Sequence, residues 1–463
     1  MRAWARRTAE LRRELAAIAE LDPSWWLLAA GVALAEPWAP DEVYLACDAE
    51  PDADTFMGYR AEPPRDLVLD ALQRARAARA AVRELDGTLP EQPLAVTLDR
   101  AAGARPRPSA LDVAAFAVGD RCLVAGLDDP MLPSVLAQVL AGAPPPPWRG
   151  PPPFVCVSLG DEPLETARHG HRRAWSERGG PWLGLGRAGA VSLVSTCHLV
   201  VDGYGHARVT ARIAELVAAT PPTALVTFTP SSAPALRVLP GAVPLTVAWR
   251  ELPRPSPRLL PLAYRLGLLL HRQAGRPDAR FSPTIQIPVA RGDADDPLRL
   301  RRRIVSATVS VHFERGAPEP FEAFQARARR SFAAEAQGRG LVSRLLAAAR
   351  AVPVPLSWKR KSISAKRPPW LETFAEVIGG RALLSRIAMD VPTPPLCAVS
   401  SPARLASDED PRGGSVITVI DDGTRGAITV CGTGATGTAA GAEAALDELL
   451  AQAPERVARA PGA

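Results

Sequence analysis

The middle of the chain contains a segment, 191–218, in which a continuous apolar run changes into apolar residues at helical spacing. Residues 191–201 are mostly apolar and rich in β-branched side chains, which predicts an interior strand buried on both faces. Asp202 and Gly203 follow and predict a turn, because glycine adopts positive φ without steric strain. From about Gly205 the apolar positions recur every three or four residues, which predicts an amphipathic helix. These positions are Val209, Ile213, Leu216 and Val217.

Similar patterns occur on both sides of this segment. Helical spacing predicts helices at 66–85, 259–271, 320–349 and 439–450. Apolar or alternating runs predict strands at 94–98, 121–127, 154–159, 181–185, 281–292 and 305–313. Short apolar runs also occur at 224–228 and 243–249, within a proline-rich stretch. Residues 414–431 predict two strands joined by Asp421-Asp422-Gly423, a strong hairpin signal.

The length of the chain predicts more than one domain. At 463 residues it exceeds the size at which a single hydrophobic core keeps growing. The strand–turn–helix segment ends the first half, so we expect an N-terminal unit at 1–220 and a C-terminal unit at 221–463. Residues 221–280, which are rich in proline at their start, form the connecting part of the second unit.

Two further stretches have unusual composition. Residues 143–153, APPPPWRGPPP, predict a polyproline II linker or a rigid surface strap, with a ligand for proline-recognising domains as the weaker alternative. Residues 25–35, WWLLAAGVALA, are too short to span a bilayer and lack signal-peptide flanks. A buried helix is the favoured interpretation of 25–35, and an anchor in the membrane interface is the alternative.

Composition and charge restrict the range of functions. Hydrophobic residues make up 47% of the chain and charged residues 22%, as in ordinary folded proteins. A formal charge of +6 is mild for this length, so it does not indicate nucleic-acid binding, although it permits attraction to anionic cofactors or membrane surfaces. The six cysteines lack CxxC spacing, which argues against zinc and against a disulfide framework and favours a reducing cytoplasm. They are Cys47, Cys122, Cys156, Cys197, Cys397 and Cys431.

The candidate chemistry lies at the end of the central strand, where His198 and Asp202 form HxxxDG with Gly203. A histidine held near the end of a strand can take a proton from a hydroxyl, amine or thiol near neutral pH. Asp202 suits a structural role at the turn, in an ion pair with an arginine, at least as well as a catalytic one. The alternative is a core histidine bonded to a backbone carbonyl and followed by an ordinary Asp-Gly turn.

The stretch STCHLVVDGYG resembles the active-site signature of the chloramphenicol-acetyltransferase-like superfamily of acyltransferases. This superfamily includes condensation domains of peptide synthetases and wax ester synthase/diacylglycerol acyltransferases. The resemblance implies an α/β fold (two-layer, α+β) with two lobes, an active-site channel between them, and a monomer. It assigns the general base to His198 and a structural role to Asp202. Condensation and wax-synthase members double the histidine, whereas this chain has Cys197 at the first position.

The resemblance and the charge pattern suggest further site residues. Arg291 ends a strand in P-V-x-R-G, as in relatives, and is the candidate partner of Asp202. The stretch LCAVSSPARL resembles a wax-synthase segment and makes Ser401 a candidate oxyanion donor or, alternatively, a strand-end cap. The cluster Lys359, Arg360 and Lys361 could hold the phosphates of a donor, or simply form a solvated surface.

Two other motifs do not support a cofactor or metal site. The GxGxxG at 432–437 lacks the second βα unit and acidic residue that a dinucleotide site needs. The His169–His171 pair lacks a third ligand at a sensible spacing. We therefore expect no metal and no bound cofactor, with acyl-CoA or a phosphopantetheine thioester acting as co-substrate.

Three hypotheses follow from the motif. The first is an acyltransferase of bacterial secondary or lipid metabolism that moves an acyl group from acyl-CoA to a small hydroxyl or amine acceptor. The second is a condensation-type enzyme whose acyl groups are bound to a carrier protein. The third is a non-catalytic scaffold of the same fold. We expect no nucleic-acid partner, and peripheral membrane contact stays open.

Overall fold

The structure is a computed structural model, and it describes the chain in segments. The described residues are 54–61, 64, 66–86, 94, 96–99, 105–108, 110–119, 121–161, 181–197, 201, 203–219, 246–252, 257–275, 277–290, 304–340, 344, 382–388, 395–399, 415–421, 425–432 and 439–451.

The helices and strands of these segments are numbered in chain order. The helices are α1 (Leu67–Leu85), α2 (Leu132–Leu140), α3 (Gly203–Ala219), α4 (Leu259–Gln273), α5 (Phe321–Ala336) and α6 (Ala439–Leu450). The strands of the first half are β1 (Asp54–Arg60), β2 (Val96–Asp99), β3 (Arg105–Pro108), β4 (Ala110–Val118), β5 (Arg121–Gly126), β6 (Pro153–Asp161), β7 (Leu183–Ala188) and β8 (Val191–Cys197). The strands of the second half are β9 (Thr246–Glu251), β10 (Ile285–Ala290), β11 (Ile304–Val309), β12 (Phe313–Glu314), β13 (Ala317–Pro318), β14 (Ala382–Ala388), β15 (Cys397–Val399), β16 (Ser415–Asp421) and β17 (Gly426–Gly432).

Two mixed sheets organise the molecule. The first has the strand order β15-β1-β8-β7-β6-β4-β5, and the second has β11-β10-β14-β16-β17-β9. The small pairs β2-β3 and β12-β13 are separate two-stranded sheets. The α/β class expected from the sequence is confirmed, because helices cover one face of each large sheet. The boundary between 220 and 221 stays a prediction.

The first core lies between the first sheet and α1, α2 and α3. Alternate residues of the strands, such as Tyr59, Val157 and Val194, face the helices and are buried. Helix α1 begins with Asp66 as its N-cap, whose carboxylate accepts hydrogen bonds from the amides of Val68 and Leu69. The helix predicted at 66–85 is therefore confirmed.

The second core lies between the second sheet and α4, α5 and α6. Ile417 and Val430, for example, face Leu266 and Leu446 in one apolar cluster. The opposite face of this sheet turns toward the first one. There Phe56 and Leu193 of the first sheet pack with Leu383, Val416 and Cys431 of the second, in a small apolar cluster between the sheets.

Strand β15 connects the two halves. It follows β14 along the chain, yet it pairs antiparallel with β1 at the edge of the first sheet. Its registered pairs are Phe56–Val399, Met57–Ala398 and Gly58–Cys397. A segment from the second half of the chain therefore completes the first sheet.

Most predicted elements of the described residues appear within a few positions of their predicted bounds. The central strand is confirmed as Val191–Cys197, and the hairpin at 414–431 is confirmed as β16 and β17. One prediction was wrong: Gly203 begins α3 rather than lying in a turn before it. The amides of the first helical turn have no intrahelical partner, so a glycine costs little at this position. In the region of the predicted helix 320–349, α5 ends at Ala336, before Gln337 and Gly338, and Arg344 is again helical, with its amide bonded to the carbonyl of Gly340.

The proline-rich segment runs along the first sheet as a strap. Trp148 packs against an apolar cluster of β4, β5 and β6 that includes Val113, Ala115 and Cys156. Its indole nitrogen donates a hydrogen bond to the carbonyl of Pro151 at 2.7 Å. The strap interpretation therefore matches the structure.

The remaining segments named above lie outside the described residues. Residues 25–35, the pair His169 and His171, and most of the GxGxxG stretch belong to this group. Among the helices of the described residues, none is long and apolar enough to cross a bilayer.

Candidate functional site

The HxxxDG motif lies between two well-defined elements. Strand β8 is an interior strand with β1 on one side and β7 on the other, and it ends at Cys197, directly before His198. Helix α3 begins at Gly203, directly after Asp202. His198 and Asp202 themselves lie outside the described residues, so their proposed roles stay predictions. The structure places the elements that anchor the motif at both ends.

The strands that precede His198 and Ser401, β8 and β15, have their carboxyl ends on the same side of the first sheet. Both β8 and β15 pair antiparallel with β1 and are therefore parallel to each other. Their carboxyl-terminal residues are Cys197, opposite Asp54, and Val399, opposite Phe56. Two strand spacings, about 9–10 Å, separate β8 from β15. Ser401 follows β15 by two positions and, like His198, is not among the described residues.

The carboxyl ends of two strands of the second sheet face this region. Ile387 of β14 and Ile420 of β16 belong to the first core, together with Val201 and Ala207 on either side of the start of α3. Arg291 follows β10, which ends at Ala290 and runs parallel to β14. Arg291 and the cluster Lys359, Arg360 and Lys361 are outside the described residues. Their proposed roles therefore stay predictions.

A buried polar pair connects β8 to α3 beside the motif. The side chains of Thr196 and His206 are fully buried, and Thr196 Oγ1 lies 2.6 Å from His206 Nδ1, a hydrogen bond. One turn further along α3, the Tyr59 hydroxyl donates to Thr210 Oγ1 at 2.8 Å. Sequence reasoning missed both pairs. The available signal was a histidine and two threonines among the apolar residues of a buried strand and the buried face of a helix.

Burial raises the pKa of two side chains on the neighbouring strands β1 and β15. Tyr59 is buried under α3, and desolvation raises its pKa well above the ordinary value for tyrosine although Thr210 bonds its hydroxyl. Desolvation likewise raises the pKa of Cys397 to about 12, with a smaller opposing effect of a hydrogen bond with the Gly58 backbone. Both groups are neutral at pH 7, and the Cys397 thiol is therefore a poor nucleophile.

Three hydroxyl side chains form a row on the face of the second sheet that turns toward the first. Ser385, Thr418 and Thr429 are cross-strand neighbours on β14, β16 and β17. All three are buried. The hydroxyl of Thr429 accepts a hydrogen bond from the amide of Ala398 at 3.0 Å, whereas the hydroxyl of Thr418 has no hydrogen-bond partner.

In the described part of the chain, no group of three or more His, Cys, Asp or Glu residues is arranged to hold a metal ion. His169 and His171 are not among these residues. The expectation that the chain needs no metal stays a prediction.

No protein-family model and no curated protein matches the chain. Solved structures that are similar to it include the starter condensation domain of the rhizomide synthetase RzmA, at 13% identity over 90% of this chain and 95% of that chain, with a TM-score of 0.40. The SgcC5 protein from Streptomyces globisporus is similar at 13% identity over 89% and 97%, with a TM-score of 0.41. The first condensation domain of the CDA synthetase is similar at 17% identity over 90% and 96%, with a TM-score of 0.39.

Proposed function

We propose that the chain is an acyltransferase that moves an acyl group from a thioester donor to a hydroxyl or amine acceptor, with His198 as the general base. The donor is acyl-CoA or a carrier-bound acyl group. The observation that supports this proposal is the placement of HxxxDG between the buried end of β8 and the first turn of α3.

The placement suits proton transfer because both anchors are rigid. Thr196 near the end of β8 and Val201 just before α3 are buried, with at most 2% of either side chain exposed. A short segment held at both ends by packed elements can keep an imidazole in one orientation, which general-base catalysis requires. The carboxyl end of β15 lies on the same side of the sheet as that of β8, so a residue that follows β15, such as Ser401, can reach the reaction site.

The proposed reaction needs one base and no covalent enzyme intermediate. His198 takes the proton of the acceptor hydroxyl or amine as its oxygen or nitrogen attacks the thioester carbonyl carbon. The tetrahedral intermediate collapses with cleavage of the carbon–sulfur bond, and the protonated imidazole returns the proton to the leaving thiolate. Cys197 has no role as a nucleophile in this scheme.

The other proposed residues support this step. Asp202 holds the turn through an ion pair with Arg291, and Ser401 donates a hydrogen bond to the developing oxyanion. Lys359, Arg360 and Lys361 bind donor phosphates by charge-assisted hydrogen bonds. Each assignment depends on the superfamily resemblance or on the charge pattern of the sequence.

Two alternatives differ from this proposal in a measurable way. A condensation-type enzyme would take acyl groups from a carrier protein alone, so it would show no transfer from acyl-CoA. A scaffold of the same fold would bind donors without transfer.

The test is a thiol-release assay with a panel of acyl-CoAs and mixed alcohol and amine acceptors. Wild type is compared with His198→Ala, and His312→Ala serves as the control for loss of another histidine, which is partly buried and contacts the ring of Phe281. Loss of the base predicts a fall in rate of about 10²–10⁴-fold in His198→Ala only. Equal rates in wild type and His198→Ala would exclude His198 as the base.

A further inference from the structure

The two partners of the hydrogen bond between Thr196 and His206 lie on either side of the HxxxDG motif in the sequence. Thr196 lies two positions before His198, and His206 lies four positions after Asp202. The two partners are ten positions apart in the chain, and their side chains meet at 2.6 Å inside the core. The bond therefore closes a loop whose middle is the motif.

The bond is suited to hold this loop in one conformation. Both side chains are fully buried, so water cannot replace either partner when the bond is broken. Threonine is stiff at χ1, and His206 lies in the first turn of α3, where the helix direction is set. A change in this bond would therefore be transmitted to the residues between its two ends.

A second bond at the same interface provides a comparison. The Tyr59 hydroxyl donates to Thr210 at 2.8 Å, and Thr210 also donates to the carbonyl of Ala207 at 3.1 Å. This pair connects β1, rather than β8, to the next turn of α3, and its partners are 151 positions apart, so the bond does not close a short loop around the motif. Its side chains are buried to a similar degree, so it serves as the control for the loss of a buried hydrogen bond between the first sheet and α3.

We propose that Thr196 and His206 are positioning residues that set the orientation of His198 through their shared hydrogen bond. The catalytic consequence rests on the acyl-transfer function proposed above, whereas the orientation of His198 does not. Neither residue needs to touch substrate.

Three variants test this proposal. Thr196→Val removes the hydroxyl at nearly constant shape, Thr196→Ser keeps the hydroxyl, and Tyr59→Phe removes the matched bond to Thr210. We expect kcat to fall about 10–100-fold in Thr196→Val, with KM changed less than about threefold, since misplacing a catalytic group affects chemistry more than binding. We expect Thr196→Ser and Tyr59→Phe to stay within about threefold of wild type in kcat.

A second readout separates this proposal from the proposed function. The imidazole signals of the six histidines are recorded by NMR, and the His198 signal is assigned by its loss in His198→Ala. We expect Thr196→Val to shift the His198 signal, and Tyr59→Phe to leave it in place.

The outcomes are distinguishable. If wild type transfers acyl groups and Thr196→Val keeps full kcat, the positioning role is wrong and the acyltransferase function stands. If wild type is inactive with every donor, the proposed function fails, and the NMR comparison alone decides the positioning role. In that case, an unshifted His198 signal in Thr196→Val would overturn the positioning role of Thr196 and His206.

Discussion

The amide of Ala398 donates a hydrogen bond to the hydroxyl of Thr429 at 3.0 Å, and this bond joins the two sheets. Ala398 lies in the middle of β15, at the edge of the first sheet, opposite Met57. Thr429 lies in β17, inside the second sheet, between Thr418 and Trp249. The short strand β15 is therefore bonded to both halves of the molecule.

Removing the Thr429 hydroxyl should loosen this connection. Thr429→Val leaves the buried Ala398 amide without a partner, which costs about 1–3 kcal/mol in the free energy of unfolding. Thr429→Ser keeps the hydroxyl, so its free energy of unfolding should fall less. Urea unfolding followed by circular dichroism measures both variants. A loss of stability in Thr429→Ser with none in Thr429→Val would show that the methyl group, rather than the hydrogen bond, matters.

The neighbouring Thr418 should behave in the opposite way. Its hydroxyl is fully buried and has no hydrogen-bond partner. Thr418→Val removes an unpaired polar group at nearly constant volume, so we expect the free energy of unfolding to rise by about 1 kcal/mol. Thermal unfolding measures the change. A clear loss of stability would show that this hydroxyl is bonded in solution.

Gly58 lies where β15 approaches β1, and a side chain should not fit there. A Cβ at this position would lie 2.6 Å from Cys397 Sγ and 2.7 Å from Val191 Cγ1. Overpacking of this kind costs about 1–3 kcal/mol, so Gly58→Ala should be destabilised by that amount. The double variant Gly58→Ala with Cys397→Ala should recover part of the loss, because one of the two contacts is removed. Absence of any recovery in urea unfolding would mean that Val191 alone causes the strain.

Arg74 should be among the most sensitive charged residues of the described chain. It is buried in α1, its Nε lies 2.9 Å from Asp70, and its terminal nitrogens donate to the carbonyls of Gly186 and Ser158. Arg74→Met leaves Asp70 with its longer ion pair to Arg187, at 3.5 Å, and removes the donor to two buried carbonyls, so it should cost about 3 kcal/mol.

Arg79 on the same helix is the matched control. It pairs with Asp128, which is 70% exposed. Arg79→Met should cost only about 0–1 kcal/mol, because exposed pairs contribute little. Similar losses in the two variants, measured by urea unfolding, would contradict the difference that burial predicts.

The Cys397 thiol should make stability depend on alkaline pH. Burial raises its pKa in the folded state to about 12, above the ordinary value of 9.0. Its contribution is therefore complete below about pH 9 and is lost as the pH rises toward 12. Between about pH 8 and pH 10.5 we expect wild type to lose about 2 kcal/mol more stability than Cys397→Ala. Parallel pH profiles of the two proteins would refute a buried, neutral thiol.

Local pattern was sufficient for the elements whose residues alternate between core and solvent. The helices at Leu67–Leu85 and Ala439–Leu450 and the hairpin of β16 and β17 were predicted because apolar spacing and turn residues are local properties. The motif strand was predicted for the same reason. Strand β1, helix α2 and strand β14 were not predicted. In α2 the signal was present and was missed, because its apolar residues recur at helical spacing: Leu132, Val135, Leu136, Val139 and Leu140.

The sequence by itself determined the class of the protein and its candidate chemistry: an α/β chain with one HxxxDG motif between an interior strand and a helix. Tertiary structure alone decided which distant residues meet. Strand β15 has three residues, too few for any periodic signal, and its place beside β1 depends on hydrogen bonds to a strand more than three hundred positions earlier. The contact of Thr196 with His206 likewise depends on how α3 packs on β8. Burial and hydrogen-bond geometry between remote segments set both relationships, and neither is encoded in the spacing of neighbouring residues.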